Sequence, residues 1–407
     1  MQPRFVPPRF PHVPLGLSTR DLVALGLAIL LGIPLGMLIS TGWLQHRAPQ
    51  PARLEVRVFI PGAGIVSMDL ERYLVGVVAA EMPASFPVEA LKAQAVAART
   101  RTLHQMVALG GSGCALHPGA DVCTDPNHDQ AWISEDQFRA RVGLLAYVRL
   151  WPRLVQAVEA TSGQALFFHG KLIDAVYHSA SGGQTENSED VWSEYVPYLR
   201  SVQSPWEAGV PPPYSREVRE FTVSELEQKL GVRVNLRLVR DQAPLFAWQR
   251  DEAARWAAAN GGIAVLARSR TGRVMEIAVG SRRLKGSELR NLLGLRSTLL
   301  HLQIRPAAAG TSRGGLGSRA GTGAGTDRAA GAALVVETRG YGHGVGLSQW
   351  GAAGMARAGF NYRQILQYYY SGTLVQEVSV GSPAPSPASP RAPGLSSAPH
   401  PYPSVIK

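Results

Sequence analysis

The first regular patterns of apolar and polar residues lie in the first third of the chain. Leu54–Ile60 alternates between apolar and polar side chains, which predicts a strand. After Asp69, a suitable N-cap, the apolar residues fall on one helical face until Pro83 ends the helix. Pro87 opens a second helix, which continues to about Leu109. We expect these two helices to form the centre of a domain.

The later patterns mix strands and helices. Residues 153–180 begin as a helix and continue as two strands, with a hairpin turn near His169. The other predicted elements are helices over 217–231 and 249–259, a strand over 274–279, and strands over 299–304 and 334–338. The last two enclose a Gly/Ala/Arg-rich segment, 307–333, that we interpret as a flexible insertion. The elements together predict the α+β fold class.

One apolar run is long enough to cross a membrane. Leu22–Leu44 contains no charged residue, and as a helix it would reach roughly 34 Å. We expect residues 1–21 to be a cytoplasmic N-terminus, 22–44 a single transmembrane anchor and 45–53 a tether, with the rest of the chain outside the cell membrane. A cleaved signal peptide is the alternative, but the run is longer than a usual signal sequence.

The net charge of +11 does not indicate a nucleic-acid partner. Most of the excess falls in residues 1–53, in and beside the insertion, and in the Pro/Ser-rich tail 377–407, which we expect to be unfolded. No concentrated stripe of Arg and Lys with interleaved aromatic residues is present in the sequence. We therefore expect no nucleic-acid binding.

Four blocks of sequence follow one another along the chain: Tyr73–Leu103, Val176–Trp192, Ser287–Thr298 and Gly340–Thr373. In this order they resemble the stage II sporulation protein D family, which includes the amidase enhancers. The resemblance covers residues 54–376. It implies two central helices flanked by β-rich lobes that form a substrate groove, preceded by one transmembrane helix.

The resemblance also implies a function. Its sporulation members are membrane-anchored lytic transglycosylases that cut peptidoglycan glycan strands, stripped of their stem peptides, during engulfment of the forespore. The expected partners are these glycan strands, the cell membrane, a peptidoglycan amidase and other engulfment membrane proteins. Amidase enhancers share the domain and are less clearly catalytic. A non-catalytic protein that binds the wall and stimulates an amidase is therefore the alternative function.

Glu81 is the expected catalytic residue. Cleavage of a glycosidic bond needs a carboxylic acid that can donate a proton to the leaving oxygen. Glu81 lies in the last turn of a predicted helix among apolar neighbours, and both factors favour the protonated acid. It matches the catalytic glutamate that the resemblance implies. A transglycosylase can use one carboxyl group as acid and then base, whereas a hydrolase needs a second carboxylate. Glu186, Glu189 and Asp190 are candidates for that second group.

The expected glycan contacts lie mostly in two glycine-containing segments, residues 179–185 and 340–346. The first, called the Ser/Gly turn, offers hydroxyl groups and backbone amides, and Tyr177 and Trp192 offer stacking faces. A plain hairpin turn and a structural histidine at position 343 are the alternatives. The substrate-binding candidates are Arg99, Tyr177, Ser179, Ser181, Gly182, Gly183, Thr185, His343 and Gln349.

The chain has two cysteines, in a segment that also contains histidines. Cys114, His117, Cys123 and His128 would make a four-ligand zinc set. Some sporulation members carry a similar zinc pattern, in which His117, Cys123 and His128 match and Asp129 stands where a second cysteine would be. Asp129 is therefore an alternative fourth ligand, and a disulfide or free thiols are alternatives to zinc. A filled ligand set predicts a structural zinc ion, and a zinc hydrolase is disfavoured because no H-E-x-x-H motif is present.

Overall fold

The computed structural model describes residues 54–126, 128–212, 214–306 and 331–378. Within these ranges no helix is both long and apolar enough to span a bilayer. The predicted anchor 22–44, the tether, most of the insertion and the tail beyond residue 378 lie outside the described residues.

The two helices predicted first are present. Leu70–Glu81 forms α1, and Asp69 caps it by accepting a hydrogen bond of 2.9 Å from the Arg72 backbone N–H. Val88–Gln105 forms α2. It ends before the expected Leu109 because the backbone of Met106 leaves the helical region, and a short 3₁₀ turn follows.

Helices and strands are interspersed along the described chain, which confirms the α+β class. Further helices are α3 (Glu135–Val142), α4 (Leu144–Glu159), α5 (Ser188–Trp192), α6 (Val223–Leu230), α7 (Ala247–Asn260), α8 (Gly286–Leu293), α9 (Gln349–Arg357) and α10 (Tyr362–Tyr369). Of these, α7 agrees closely with the helix predicted over 249–259. Helix α3 and the first half of α4 were not predicted.

Small sheets surround the helical part of the molecule. The first contains β1 (Glu55–Ile60), β2 (Gly64–Asp69) and β3 (Val122–Cys123), in the order β2-β1-β3. The second joins β4 (Gln164–Phe168) to β5 (Lys171–Leu172) and β15 (Leu374–Glu377). The hairpin between β4 and β5 turns at His169, as predicted. A short parallel pair consists of β6 (Tyr177–His178) and β14 (Leu347–Ser348).

A β-rich lobe follows in the chain. One of its sheets contains β7 (Arg216–Thr222), β12 (Leu300–Arg305) and β13 (Ala333–Arg339) in the order β12-β13-β7. The other contains β8 (Val239–Arg240), β9 (Ile263–Arg268), β10 (Val274–Val279) and β11 (Arg282–Lys285) in the order β11-β10-β9-β8. The antiparallel pairing of β12 with β13 confirms that the insertion joins two neighbouring strands.

The helix predicted over 217–231 is wrong in its first half. Residues 216–222 form β7, which pairs antiparallel with β13, and only the second half forms α6. The seven residues of β7 largely alternate between more exposed and less exposed positions, and they add the third strand to an existing pair. This pairing outweighs the weak helical pattern.

The largest apolar core surrounds α2. This helix packs against α1, α4, α9, α10 and β4, and its residues from Ala93 to Leu103 are all buried. The stretch includes the polar residues Gln94, Arg99 and Arg101. A helix enclosed on nearly all sides must pair its polar groups inside the protein. A second core fills the β-rich lobe, between its sheets and helices α6 and α8.

Candidate functional site

Glu81 is the last residue of α1 and is half-buried. Its Oε1 accepts a hydrogen bond of 2.8 Å from the backbone N–H of Ala131. Its Oε2 accepts one of 3.2 Å from the side-chain amide of Gln349, the first residue of α9. The carboxyl group therefore lies where the end of α1, the loop after β3 and the start of α9 meet.

Buried polar side chains extend from Glu81 into the interior. The amide of Gln349 also lies 3.5 Å from Oε1 of Gln94 on α2. Gln130, next to Ala131, donates to Thr102 Oγ1 at 2.9 Å and accepts from the Tyr177 hydroxyl at 2.8 Å. These contacts fix the loop that supplies the Ala131 donor, because each one is made in a solvent-excluded environment.

Tyr177 belongs to this polar layer and is not a stacking surface. Its side chain is 2% exposed, so its ring presents no open face to a sugar. Burial raises the pKa of Tyr177 well above its ordinary value, and the negative charge of the neighbouring Glu81 raises it further. The structure therefore places a neutral phenol beside Glu81. Trp192, the other predicted stacking residue, is half-buried, and its ring lies 5.1 Å from that of His343.

The Ser/Gly turn is already occupied by a side chain of the protein. Glu207 accepts hydrogen bonds from the Ser181 backbone N–H at 3.0 Å, the Ser181 hydroxyl at 2.7 Å and the Gly182 N–H at 2.9 Å. Thr185 is buried and bonds to the backbone of Val202. The hydroxyl and backbone N–H groups of Ser181, Gly182 and Thr185 that were predicted to contact a glycan are therefore hydrogen-bonded within the protein. The Ser179 carbonyl receives the Trp350 N–H at 3.0 Å, and the Gly183 carbonyl receives the Ser204 N–H at 2.8 Å.

Two further predicted contacts are also buried. Arg99 is 1% exposed, and its guanidinium binds the Glu71 carboxylate and the carbonyl groups of Gln164 and Val158. The structure therefore places Arg99 in the interior, with its guanidinium bonded within the protein. His343 binds the Tyr177 carbonyl through Nε2 and receives the Val345 N–H at Nδ1. These bonds are those of a structural histidine, whereas Gln349 does contact the predicted catalytic residue.

The three candidates for a second carboxylate have partners of their own. Glu186 is fully buried and accepts hydrogen bonds from the hydroxyl groups of Ser269 and Thr271. Arg200 binds Glu189 and holds its pKa at about 2. Asp190 accepts a hydrogen bond from the side chain of Asn187 at 3.3 Å.

The cysteine segment brings metal-binding atoms together. One donor atom from each of Cys114, Cys123 and His128 lies within 4.8 Å of the others, and all three residues are buried. The two sulfur atoms lie 3.7 and 3.4 Å from Nδ1 of His128, and Cys114 Sγ lies 3.4 Å from Nδ1 of His117. Sulfur and nitrogen ligands of a tetrahedral zinc ion stand about 3.6 Å apart. Both cysteines are free thiols in the structure. Cys114, Cys123 and His128 fit three ligands of a zinc site, whereas His117 lies near Cys114 alone and outside this group, with its ring stacked on Phe59.

Asp129 does not lie where the prediction of a fourth zinc ligand requires it. Its carboxylate accepts the backbone N–H groups of Cys123 at 3.2 Å and Gln130 at 2.9 Å, and lies 3.7 Å from Arg101. It does not belong to the group of metal-binding atoms found among the described residues. Asp129 instead connects the cysteine segment to the loop that donates to Glu81.

Sequence reasoning missed Gln94, Gln130 and Glu207. Gln94 stands in an alanine-rich stretch of α2, and a polar residue within a tightly packed stripe is a signal that could have indicated it. Gln130 lies in a loop and Glu207 ends a short 3₁₀ helix, Pro205–Glu207, and the sequence gives no such signal at either place.

Comparison with known proteins identifies relatives of this chain. A family model described as Stage II sporulation protein matches residues 63–168. The chain is 31% identical to Stage II sporulation protein D of Bacillus subtilis (strain 168) over 77% of its length and 76% of that protein's. It is also 31% identical to the Bacillus amyloliquefaciens protein of the same name, over 82% and 83%. An Amidase enhancer of Bacillus subtilis (strain 168) is 26% identical over 74% of this chain and 40% of the enhancer. The relatives of the same name align with most of the chain at 31% identity, so this protein belongs to the stage II sporulation protein D family.

Proposed function

We propose that this protein is a peptidoglycan lytic transglycosylase in which Glu81 is the general acid and base. The observation that carries the proposal is the position of the Glu81 carboxyl group. It is half-buried and held by N–H donors from Ala131 and Gln349, which belong to two other segments. Fixed donors of this kind hold a catalytic group in a productive orientation.

One carboxyl group can perform both steps of this reaction. Protonated Glu81 donates its proton to the glycosidic oxygen as the bond to the anomeric carbon breaks. The 6-hydroxyl of the same muramoyl residue then attacks that carbon, and the Glu81 carboxylate takes up the hydroxyl proton. The products are a 1,6-anhydro end and a free 4-hydroxyl, and Glu81 is protonated again. No water is consumed, which agrees with a mechanism that uses a single carboxylate.

We further propose a structural zinc ion held by Cys114, His117, Cys123 and His128. The separations of 3.4–3.7 Å between His128 Nδ1 and the two sulfur atoms support three of these ligands, and the 3.4 Å between His117 Nδ1 and Cys114 Sγ makes His117 the candidate for the fourth. The ion would fix the loop that continues through Asp129 and Gln130 to the Ala131 donor. A full set of protein ligands leaves no position for substrate, so the chemical step is assigned to Glu81.

The proposed setting is the cell membrane, with the described domain outside and residues 22–44 as a single anchor. The support is the uncharged apolar run of that segment. Glycan strands stripped of stem peptides, a peptidoglycan amidase and other engulfment membrane proteins are the proposed partners.

Product analysis tests the activity. Purified full-length protein and its Glu81→Gln variant would be incubated with peptide-free glycan strands, and the ends identified by mass spectrometry. We expect 1,6-anhydro-muramic acid ends from the wild type and at least a hundredfold slower release from the variant. Reducing ends would indicate hydrolysis. Absence of cleavage by folded protein containing one zinc ion per chain would refute the enzymatic proposal.

A second function is favoured by the 26% identity to an Amidase enhancer. In this alternative the domain binds the wall and stimulates an amidase without cutting glycan. Incubation of intact peptidoglycan, which retains its stem peptides, with a purified amidase distinguishes the two, because an enhancer would accelerate stem-peptide release equally in the wild type and in Glu81→Gln.

A further inference from the structure

Glu207 connects two parts of the molecule that the sequence separates widely. Its carboxylate receives four hydrogen bonds, three of them from Ser181 and Gly182 in the turn after β6. The fourth comes from the hydroxyl of Ser348, at 2.6 Å. Ser348 is the N-cap of α9, and its Oγ accepts the Gly351 N–H at 3.1 Å. One carboxylate therefore binds both the turn and the residue that caps α9.

The start of α9 is also where Glu81 is held. Gln349 follows Ser348 directly, and its side-chain amide donates to Glu81 Oε2 at 3.2 Å. The Ser348 backbone pairs with His178 in the parallel strands β6 and β14, so the cap is fixed from a second side. Gly351 allows the first turn of α9 to pack closely against Tyr369, because a Cβ at this position would lie 2.0 Å from the Tyr369 hydroxyl. The position of Gln349 consequently depends on the cap to which Glu207 is bonded.

Glu207 is charged in this position. Burial alone would raise its pKa, but the hydrogen bonds from Ser348 and Ser181 outweigh burial and hold the pKa below its ordinary value. A carboxylate that accepts four hydrogen bonds cannot be replaced by an amide without turning at least one N–H group toward another donor.

We propose that Glu207 is a positioning residue for the reaction at Glu81, acting through Ser348 and Gln349. This inference rests on the proposed transglycosylase function. Four donors of the protein bind the Glu207 carboxylate, so we assign its effect to the orientation of Glu81 and not to contact with the glycan. Misplacement of a catalytic group by about 1 Å can lower a rate by about a hundredfold.

Steady-state kinetics on soluble peptide-free glycan oligosaccharides test the inference with full-length protein. We expect Glu207→Gln to lower kcat by about 10- to 100-fold while KM changes less than about threefold. Ser348→Ala should lower kcat similarly. The double variant should lose no more than the more damaged single variant, because both substitutions break the same connection. Multiplying losses, or an unchanged kcat in Glu207→Gln, would overturn the proposal.

Glu71→Gln is the matched control for a merely structural role. Glu71 is a half-buried glutamate on α1 that binds Arg99. Its replacement should lower the free energy of unfolding without lowering kcat at a temperature where the protein is folded. A comparable drop in kcat in this control would assign the effect of Glu207 to stability alone.

A crystal structure of the Glu207→Gln variant tests the inference without a measurement of activity. We expect the distance between Gln349 Nε2 and Glu81 Oε2 to exceed 3.5 Å in the variant, and an unchanged distance would overturn the inference. If the wild type fails to cleave glycans, the proposed function fails, and this distance still decides whether Glu207 positions Gln349.

Discussion

The side-chain amide of Gln349 donates a hydrogen bond of 3.2 Å to Glu81, although 268 positions separate the two residues. Ala131, 50 positions from Glu81, donates to the other carboxylate oxygen at 2.8 Å. The candidate catalytic group is thus oriented by two segments that both follow it in the sequence and lie far apart from each other along the chain. Activity should depend on these contacts as well as on Glu81 itself.

Replacement of Gln349 by methionine should lower glycan cleavage. Methionine has nearly the same volume but cannot donate to Glu81, and the carboxyl group then loses one of its two described donors. We expect kcat to fall about tenfold, measured by release of 1,6-anhydro ends. Gln364→Met on α10 is the control, because that side chain caps its own helix. Equal rates in Gln349→Met and the wild type would contradict this role.

Arg99 should contribute to stability and not to glycan binding. Arg99→Leu removes the buried ion pair with Glu71 and leaves the Gln164 and Val158 carbonyl groups without this donor. We expect the free energy of unfolding, measured in urea, to fall by about 3 kcal/mol. Arg216→Ala, which breaks an exposed pair with Glu337, should cost less than about 1 kcal/mol. Weakened glycan binding by folded Arg99→Leu would instead support the prediction that Arg99 contacts the glycan.

His178 should make stability depend on pH. Burial lowers the pKa of His178 from 6.5 to about 4, with Glu207 opposing this shift and Arg273 adding to it. The unfolded chain therefore takes up this proton at a higher pH than the folded protein. The stabilising contribution is complete above about pH 6.5 and is lost as the pH falls toward 4.

Between pH 7 and pH 5 we expect the free energy of unfolding to fall by about 2 kcal/mol from this residue. Urea unfolding at the two pH values measures the change, and His178→Gln should remove most of it. The pKa of Glu189 is about 2, so its stabilising contribution is constant above about pH 4.5, is lost only at lower pH and does not interfere. The same pH dependence in the variant would assign the effect to another group.

Gly344 should tolerate no side chain. An alanine Cβ there would lie 2.5 Å from Nη2 of the buried Arg273, at a backbone φ of +87°. Gly359 has a similar φ of +92° but open space around it, so Gly359→Ala measures the backbone strain alone. We expect Gly344→Ala to lower the thermal unfolding midpoint clearly more than Gly359→Ala, by the equivalent of at least about 2 kcal/mol. Equal midpoints would show that Arg273 can move.

Removal of zinc should loosen the loop that donates to Glu81. We expect about one zinc ion per purified chain and loss of that ion in Cys123→Ser. Because Cys123 is connected through Asp129 and Gln130 to Ala131, the metal-free protein should be cut faster by protease between residues 106 and 131 and should cleave glycan more slowly. Trp132→Phe, which keeps the ligands, should retain the metal. A metal-free protein with a disulfide and full protease resistance would contradict the zinc proposal.

The sequence by itself determined the local elements and the identity of the main candidates. Asp69 and Pro83 mark the ends of α1, because helix caps and helix breakers act over a few residues. The close spacing of cysteines and histidines predicted a cluster of metal-binding side chains, because such ligands lie near one another along the chain. Four blocks of sequence were enough to predict the family. Glu81 could be singled out because it lies at a helix end within one of these blocks.

Only the tertiary structure decided which polar groups face one another. Arg99, Ser181 and Thr185 have the chemistry of sugar-binding residues, yet each is buried and bonded within the protein. Glu207, in a short 3₁₀ helix, and Gln130, in a loop, hold the site from segments with no distinctive sequence pattern. The physical reason is that a hydroxyl, amide or guanidinium group satisfies its hydrogen bonds equally well with a ligand or with a distant part of its own chain. Which of these occurs depends on burial and long-range packing, which local patterns of residues do not contain.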